Sequence, residues 1–345
     1  MQELFSGLAS LSGLRDRHDM DFALVKLIAT SRQWHVSATR LLCAVGQLDD
    51  QRWLTRGRMS QPQTTPEQDM VWANWSSLPR LGDYPKREAA IMTEEVIRTG
   101  SGPFTTLFPI ETQQAICSVL EVESDAPLAA SCVAMIESIL WIYQNLQGLL
   151  DYGEKDSLTD LLNRKSFDGA FLRAAIEQDR LADCDGPDRR TNHSGTSFWL
   201  AVIDIDHFKR VNDQFGHLIG DEVLLLMAGL MRANFRFHDQ IYRFGGEEFV
   251  VLMRCADHAD AAAALERYRQ KVQAHNFPQV GPTTVSVGFS ALRSDDTPSS
   301  AFDRADKAVY YAKAHGRNQV CSYAELVESG ELIEPSSAAS DIDFF

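Results

Sequence analysis

The alternation of apolar and polar residues divides the chain into three stretches of different period. From about residue 15 to 128, helix and strand patterns mix. Met20 to Gln33 carries apolar residues at helical spacing, Ala38 to Val45 reads as a strand, and Gln51 to Arg58 reads as its partner across a turn at Leu48–Asp50. Gln61 to Gln68 and Leu78 to Pro85 are loops by composition. Glu88 to Arg98 is helical, and Thr105 to Ile110 and Gln114 to Glu121 are two further strands.

A long helix is expected from Ala129 into Asp156, with Pro127 just ahead of it. Ala129, Cys132, Ile136, Ile139, Tyr143, Leu146 and Leu150 follow one another at spacings of three and four, the seam of a short coiled coil. An ordinary amphipathic helix packed on its own domain has the same signature. Beyond it the pattern changes again. A helix (Lys165 to Leu181), a polar loop (Ala182 to Thr196), a strand (Phe198 to Ile205) and a helix (Asp221 to Phe235) lead to two strands around Gly245–Gly246. Then come a helix (His258 to His275), a strand (Thr283 to Leu292), a helix (Ala301 to His315) and a short strand (Gln319 to Tyr323). This order predicts an α+β domain with helices against a mixed sheet. The divisions expected are residues 1–128, a helical linker at 129–156, a second domain at 157–325 and an acidic tail at 326–345.

Composition narrows the function. A formal net charge of −15 argues against a nucleic-acid binder, although a local cation cluster or a metal still admits a nucleotide. The N-terminus lacks the basic start and apolar run of a signal peptide, and Leu128 to Leu150 is interrupted by Glu137, Gln144, Asn145 and Gln147, so no membrane span is expected. The six cysteines (Cys43, Cys117, Cys132, Cys184, Cys255, Cys321) include no C-x-x-C pair and read as free thiols in a reducing cytoplasm.

Candidate chemistry lies in the second domain. The apolar strand LAVIDID ends in Asp204 and Asp206, which two-residue alternation puts on one face. Forty residues on, YRFGGEEF reads as strand, tight turn, strand, with Gly245 and Gly246 leaving room for a ligand and Glu247 and Glu248 directly after. If the two strands are neighbours, Asp204 and Glu247 converge at one sheet end, a hard-oxygen set suited to Mg²⁺. Either motif alone would more often be a solvated acidic turn.

With these residues the segment from Asp156 to about Ser322 resembles a GGDEF domain in the GGEEF spelling. The resemblance also rests on DSLTDLLNRK (Asp156 to Lys165, with Asp160 where glycine is usual), VNDQFGHLIGDEVL (Val211 to Leu224) and ADKAVYYAKAHGRN (Ala305 to Asn318). It implies a nucleotidyl-cyclase-like sheet and a diguanylate cyclase that joins two GTP into cyclic di-GMP at a site shared by a homodimer. It further implies two Mg²⁺ (or Mn²⁺) ions per site held by Asp204, the carbonyl of Ile205 and Glu247. Glu247 would also serve as base, with Glu248 and Lys209 in support. Asn212, His217 and Asp221 would hold the guanine, and Lys313 and Arg317, taken as one helical turn apart, the triphosphate. Arg236 and Asp239 resemble the family's inhibitory R-x-x-D site for cyclic di-GMP, with Arg267 as a second contact. A non-catalytic receptor for GTP or cyclic di-GMP is the alternative function.

The first domain resembles a GAF sensor, through Met20 to Val45 and FPIET…AICSVLEVESDAPL (Phe108 to Leu128), with PAS as runner-up. Its ligand is not readable. Cys43 and Cys117 lack the neighbouring histidine of a bilin site, while His18 and His35 read as surface or capping residues sooner than haem ligands. Trp72 and Trp75 read as a loop packed on the core or a lid over a pocket.

Overall fold

The structure is a computed structural model, and it describes residues 2–31, 34–46, 50–69, 75–100, 103–111, 118–183 and 196–334. Cys117, Cys184, Trp72, the turn at 47–49, the start of the strand expected at Gln114, most of the polar loop after Ala182 and the tail beyond Glu334 lie outside the described residues. The chain divides into two compact units, Met1–Gly153 and Glu154–Phe345.

The first unit runs α1 (Gln2–Gly13), α2 (Arg17–Ala29), β1 (Val36–Val45), β2 (Arg52–Ser60), α3 (Pro85–Thr93), β3 (Ile97–Thr99), β4 (Phe104–Ile110), β5 (Ser118–Ser124) and α4 (Ala130–Glu154). Its five strands form one antiparallel sheet in the order β2-β1-β5-β4-β3. Both faces of the central strands β1 and β5 are largely buried, and Glu121 of β5 is buried with them, where it accepts from Arg87 Nε at 2.7 Å. Leu41, Phe108, Leu120 and Val122 point into one core with α1, α2 and α4, and their neighbours Leu42, Leu107 and Val119 point to the other with Trp53 and Ala90 of α3. Helix α1 and strand β3 were not legible in the sequence. The helix expected at Glu88 to Arg98 starts earlier, on Pro85 at its first turn, and ends at Glu94 in the left-handed region, leaving 97–99 to pair as a strand.

The seam expected to form a coiled coil on α4 faces inward instead. Ile136, Ile139 and Tyr143 are buried in the unit's own core, with Cys132, Leu146 and Leu150 packed at its edge. The helix has a second apolar stripe, one residue out of step with the first. Met135, Ser138, Ile142, Asn145, Leu149 and Tyr152 also recur at three and four, and Leu149 and Tyr152 are 70% and 91% exposed. The buried face is pinned by polar groups as well. Asp21 of α2, fully buried, accepts hydrogen bonds from Tyr143 Oη and from Arg56 Nε of β2, the latter at 2.8 Å. Gln147 Nε2 donates to Tyr143 Oη at 3.0 Å.

The second unit runs β6 (Leu162–Asn163), α5 (Arg164–Asp183), β7 (Ser197–Ile205), α6 (Phe208–Phe215), α7 (His217–Arg232), β8 (Gln240–Gly245), β9 (Glu248–Cys255), α8 (His258–Ala274), β10 (Asn276–Phe277), β11 (Gly281–Pro282), β12 (Val285–Ala291), α9 (Pro298–Ala314), β13 (Val320–Ser322) and α10 (Tyr323–Glu328). The main sheet has the order β13-β12-β7-β9-β8-β6, mixed in direction, with β7 near its middle. Trp199, Ala201, Ile203 and Ile205 of β7 join the core formed with α6, α7 and α8. The intervening Phe198, Leu200, Val202 and Asp204 turn to the opposite face, where α5 and α9 pack. Helix α9 lies so close to β12 that a Cβ on Gly288 would stand 2.2 Å from the carbonyl oxygen of Ala305. Cys43, Cys132, Cys255 and Cys321 are free thiols, and among the described residues no helix is long and apolar enough to cross a membrane.

Candidate active site

The site forms where β7 and β9 end together. The strands pair antiparallel with Asp204 opposite Glu248, and Ile205 N–H donates to the carbonyl of Glu247 at 3.4 Å. The β8–β9 hairpin turns on Gly245 (φ 151°) and Gly246 (φ 52°), a conformation that side chains resist. A Cβ on either glycine would meet nothing within 4 Å, so packing does not demand these glycines and the space above the turn is open. Arg243 fastens the turn by donating from Nε and Nη2 to the Gly246 carbonyl at 3.1 and 2.9 Å, and from Nη1 to Asp156 at 2.9 Å. Sequence reasoning gave Arg243 no role, although its place two residues before the glycines was the available signal.

Asp204 projects from β7 towards α9, where its Oδ2 meets Lys313 Nζ at 2.7 Å. Asp204, Glu247 and Glu248 are all held above the ordinary carboxylate range. Burial is the first cause for each; the next is relief by Lys313 for Asp204, the charge of Asp204 for Glu247 and the charge of Asp306 for Glu248. Asp306, on the same helix as Lys313, is a fourth carboxylate of this group that sequence reasoning overlooked. It is itself raised by burial and eased by Lys313. Among the described residues these four carboxylates are opposed by Lys313 and, at Glu248, by Arg164, so the group is short of positive charge.

One expectation holds here and one changes. Asp206 lies on the same face as Asp204: Ser286, paired with Asp204 across β12 and β7, donates to Asp206, whose charge adds to the raising of Asp204. Its carboxylate is saturated by Thr284 Oγ1 (2.6 Å), Ser286 Oγ (2.7 Å) and the N–H of Asn318 (3.1 Å), and so ties three segments together. Lys313 and Arg317, by contrast, do not lie one turn apart on a helix. Helix α9 ends at Ala314, and Gly316 and Arg317 both have positive φ, so Arg317 sits on the turn beyond.

Lys209 and Asn212 lie on α6, and His217 and Asp221 on the first turn and a half of α7; Lys209, His217, Asp221 and Arg317 are exposed and Asn212 is half-buried. Asp160, where glycine was expected, adopts φ 56°. Near the β8 start, Asp239 Oδ2 accepts from Arg236 N–H at 2.8 Å, and its side chain is only 6% exposed. Burial raises its carboxyl to about 6 against the opposing charges of Arg236 and Arg267, so these three residues share one locality. Arg267 Nε also donates to Asn234 Oδ1 at 3.1 Å. In the first unit His18 Nδ1 contacts Gln68 Oε1 at 3.0 Å, His35 is exposed, and Trp75 Nε1 donates to Asp50 at 2.8 Å.

The second unit is thus an α+β domain whose acidic strand ends and basic helix end face one open glycine turn, the layout of a nucleotide-handling enzyme. The family profile described as "Diguanylate cyclase, GGDEF domain" matches residues 154–319. The diguanylate cyclase DgcS of Shewanella oneidensis is 32% identical over 222 residues, covering 60% of this chain and 69% of that protein. DgcP of Pseudomonas aeruginosa is 41% identical over 168 residues, covering 48% of this chain and 23% of DgcP. The response regulator PleD of Caulobacter vibrioides is 38% identical over 190 residues, covering 53% of this chain and 39% of PleD. The chain therefore spans well under half of the latter two. It belongs to the GGDEF diguanylate cyclase family.

Proposed function

We propose that this chain condenses two GTP into cyclic di-GMP with release of two pyrophosphates. The observation that carries the reading is the meeting of Asp204 with Glu247 and Glu248 at the β7–β9 end, opposed by Lys313 at 2.7 Å. Among the described residues no group of three or more His, Cys, Asp or Glu side chains stands at metal-ligating spacing. Mg²⁺ asks for less, since it commonly takes one or two carboxylates and completes its shell with water and phosphate. The donor set fits: Asp204, Glu247 and the carbonyl of Ile205 are hard oxygens in a site short of positive charge, and they would hold Mg²⁺ or Mn²⁺. The ion's contribution when bound is to neutralise phosphate charge.

The chain's own groups do the rest. Lys209, Lys313 and Arg317 draw the triphosphate by charge. A Glu247 carboxylate oxygen takes the proton of the 3′-hydroxyl, whose oxygen then bonds to the α-phosphorus of the other nucleotide as pyrophosphate leaves. Glu248 keeps the local charge negative beside it. Asn212 and Asp221, flanked by His217, read the guanine: a carboxylate accepts from N1–H and the exocyclic amine, donors that adenine lacks there.

Each site holds one GTP, so ring closure needs two chains with their sites facing. The exposed stripe Met135–Tyr152 on α4 supplies a pairing surface at coiled-coil spacing, with Asn145 as the polar position that fixes register. Cyclic di-GMP binds in turn at Arg236, Asp239 and Arg267 and restrains its own synthesis. The first unit is a GAF-like (or PAS-like) cytoplasmic sensor that regulates the cyclase through α4. Incubation of purified protein with GTP and Mg²⁺ tests the reading. Cyclic di-GMP is expected from the wild type and not from Asp204→Asn, and binding of GTP or cyclic di-GMP without turnover would identify a receptor instead.

A further inference from the structure

Helices α6 and α7 are joined through the single residue Gly216, whose N–H donates to the carbonyl of Asn212 at 2.9 Å and whose carbonyl receives Gly220 N–H at 3.2 Å. This folds α7 back so that Gly220, fully within the helix and buried, faces the side chain of Asn212. A Cβ built on Gly220 would stand 2.0 Å from Asn212 Oδ1, 3.1 Å from its Cγ and 3.3 Å from Phe208 Cζ. Gly220 is not there for backbone freedom, because its place is inside a regular helix. A glycine in that setting costs about 1 kcal/mol relative to alanine, and the only thing it provides is space. That space is filled by the end of the Asn212 carboxamide.

We infer that Gly220 is a positioning residue for base recognition: it is the floor on which Asn212 lies, beside Asp221, the next residue in the chain. The inference rests on the assignment of Asn212 and Asp221 to guanine. Among the described residues no hydrogen bond holds the Asn212 side chain, so packing on Gly220 and Phe208 sets its direction while its polar groups stay available to a ligand. A methyl group at 220 strikes the far end of a flexible side chain and not backbone. The chain therefore keeps its fold, and Asn212 rotates out of reach of the base.

The test is a double-mutant cycle on the full chain with Gly220→Ala, Asn212→Ala and the pair. Gly220→Ala should raise KM for GTP about 10-fold, the loss of one hydrogen bond's worth of recognition, with kcat changed less. KM for ATP should stay where it is, so that discrimination between the two nucleotides shrinks by the same factor. The thermal midpoint should hold or rise, since alanine favours the helix. Added to Asn212→Ala, Gly220→Ala should change KM no further. Additive effects, an unchanged KM for GTP, or a steep fall in the midpoint would overturn the inference while leaving the cyclase reading intact. An inactive wild type that binds no GTP would overturn both.

Discussion

The carboxyl of Asp239 offers the sharpest test of the electrostatics, because its burial sets a stability cost that depends on pH. Its side chain is 6% exposed and it titrates at about 6, against 3.8 for a free aspartate. The folded state thus holds this proton more tightly than the unfolded chain does. Its contribution is most favourable below pH 3.8 and is lost as pH rises through 6, amounting to roughly 3 kcal/mol at neutral pH. Asp239→Asn keeps the shape and removes the charge. Urea denaturation from pH 4 to 8 should show the variant gaining on the wild type progressively up to about pH 6 and then running parallel to it. The same ionisation governs the proposed product site, where guanine N–H groups need the charged acceptor, so inhibition by cyclic di-GMP should weaken as pH falls below 6. A constant difference between the two proteins across this range would refute the burial argument. Inhibition that strengthens on acidification would refute the role.

Three further outcomes follow from the geometry. Tyr152→Asp, at a position 91% exposed, should leave the thermal midpoint nearly unchanged, as surface substitutions typically move stability within about 0.5 kcal/mol, yet should shift the proposed dimer towards monomer in sedimentation. Asp21→Ala strands Arg56 without its partner in the first unit and should cost about 3–5 kcal/mol in a denaturant melt. Asp221→Ser should admit ATP, read as a rise in turnover of ATP relative to GTP; an unchanged preference would remove Asp221 from the guanine site.

The parts of this molecule legible in the sequence are those whose partners lie nearby along the chain. The β8–β9 hairpin announced itself through two glycines between apolar strands, and Asp204 through the end of a continuous apolar run. The same-face placing of Asp206 with Asp204 was legible, but not its partners, because Thr284 and Ser286 lie some eighty residues away, 206 to 286. Arg317 looked helical because Gly316, which stops α9, resembles any small residue in a helical run until its φ of 107° is known. The sequence of α4 contains two apolar stripes one residue apart. Only the packing of Ile136, Ile139 and Tyr143 on the first unit's core tells which of them is spent at home. Asp160 was flagged as an exception to a glycine position, and its φ of 56° shows that the backbone keeps the glycine-like conformation with an aspartate in it.

If Asp204 and its carboxylate neighbours serve a reaction between two chains, activity depends on how often two chains meet. Cyclic di-GMP formed from GTP and Mg²⁺ is measured across a range of protein concentrations, with Asp204→Asn alongside. Specific activity of the wild type should rise with concentration to a plateau, and the variant should fall about a hundredfold or more below it. Product formed equally well by Asp204→Asn, or none from the wild type at any concentration, would contradict this reading.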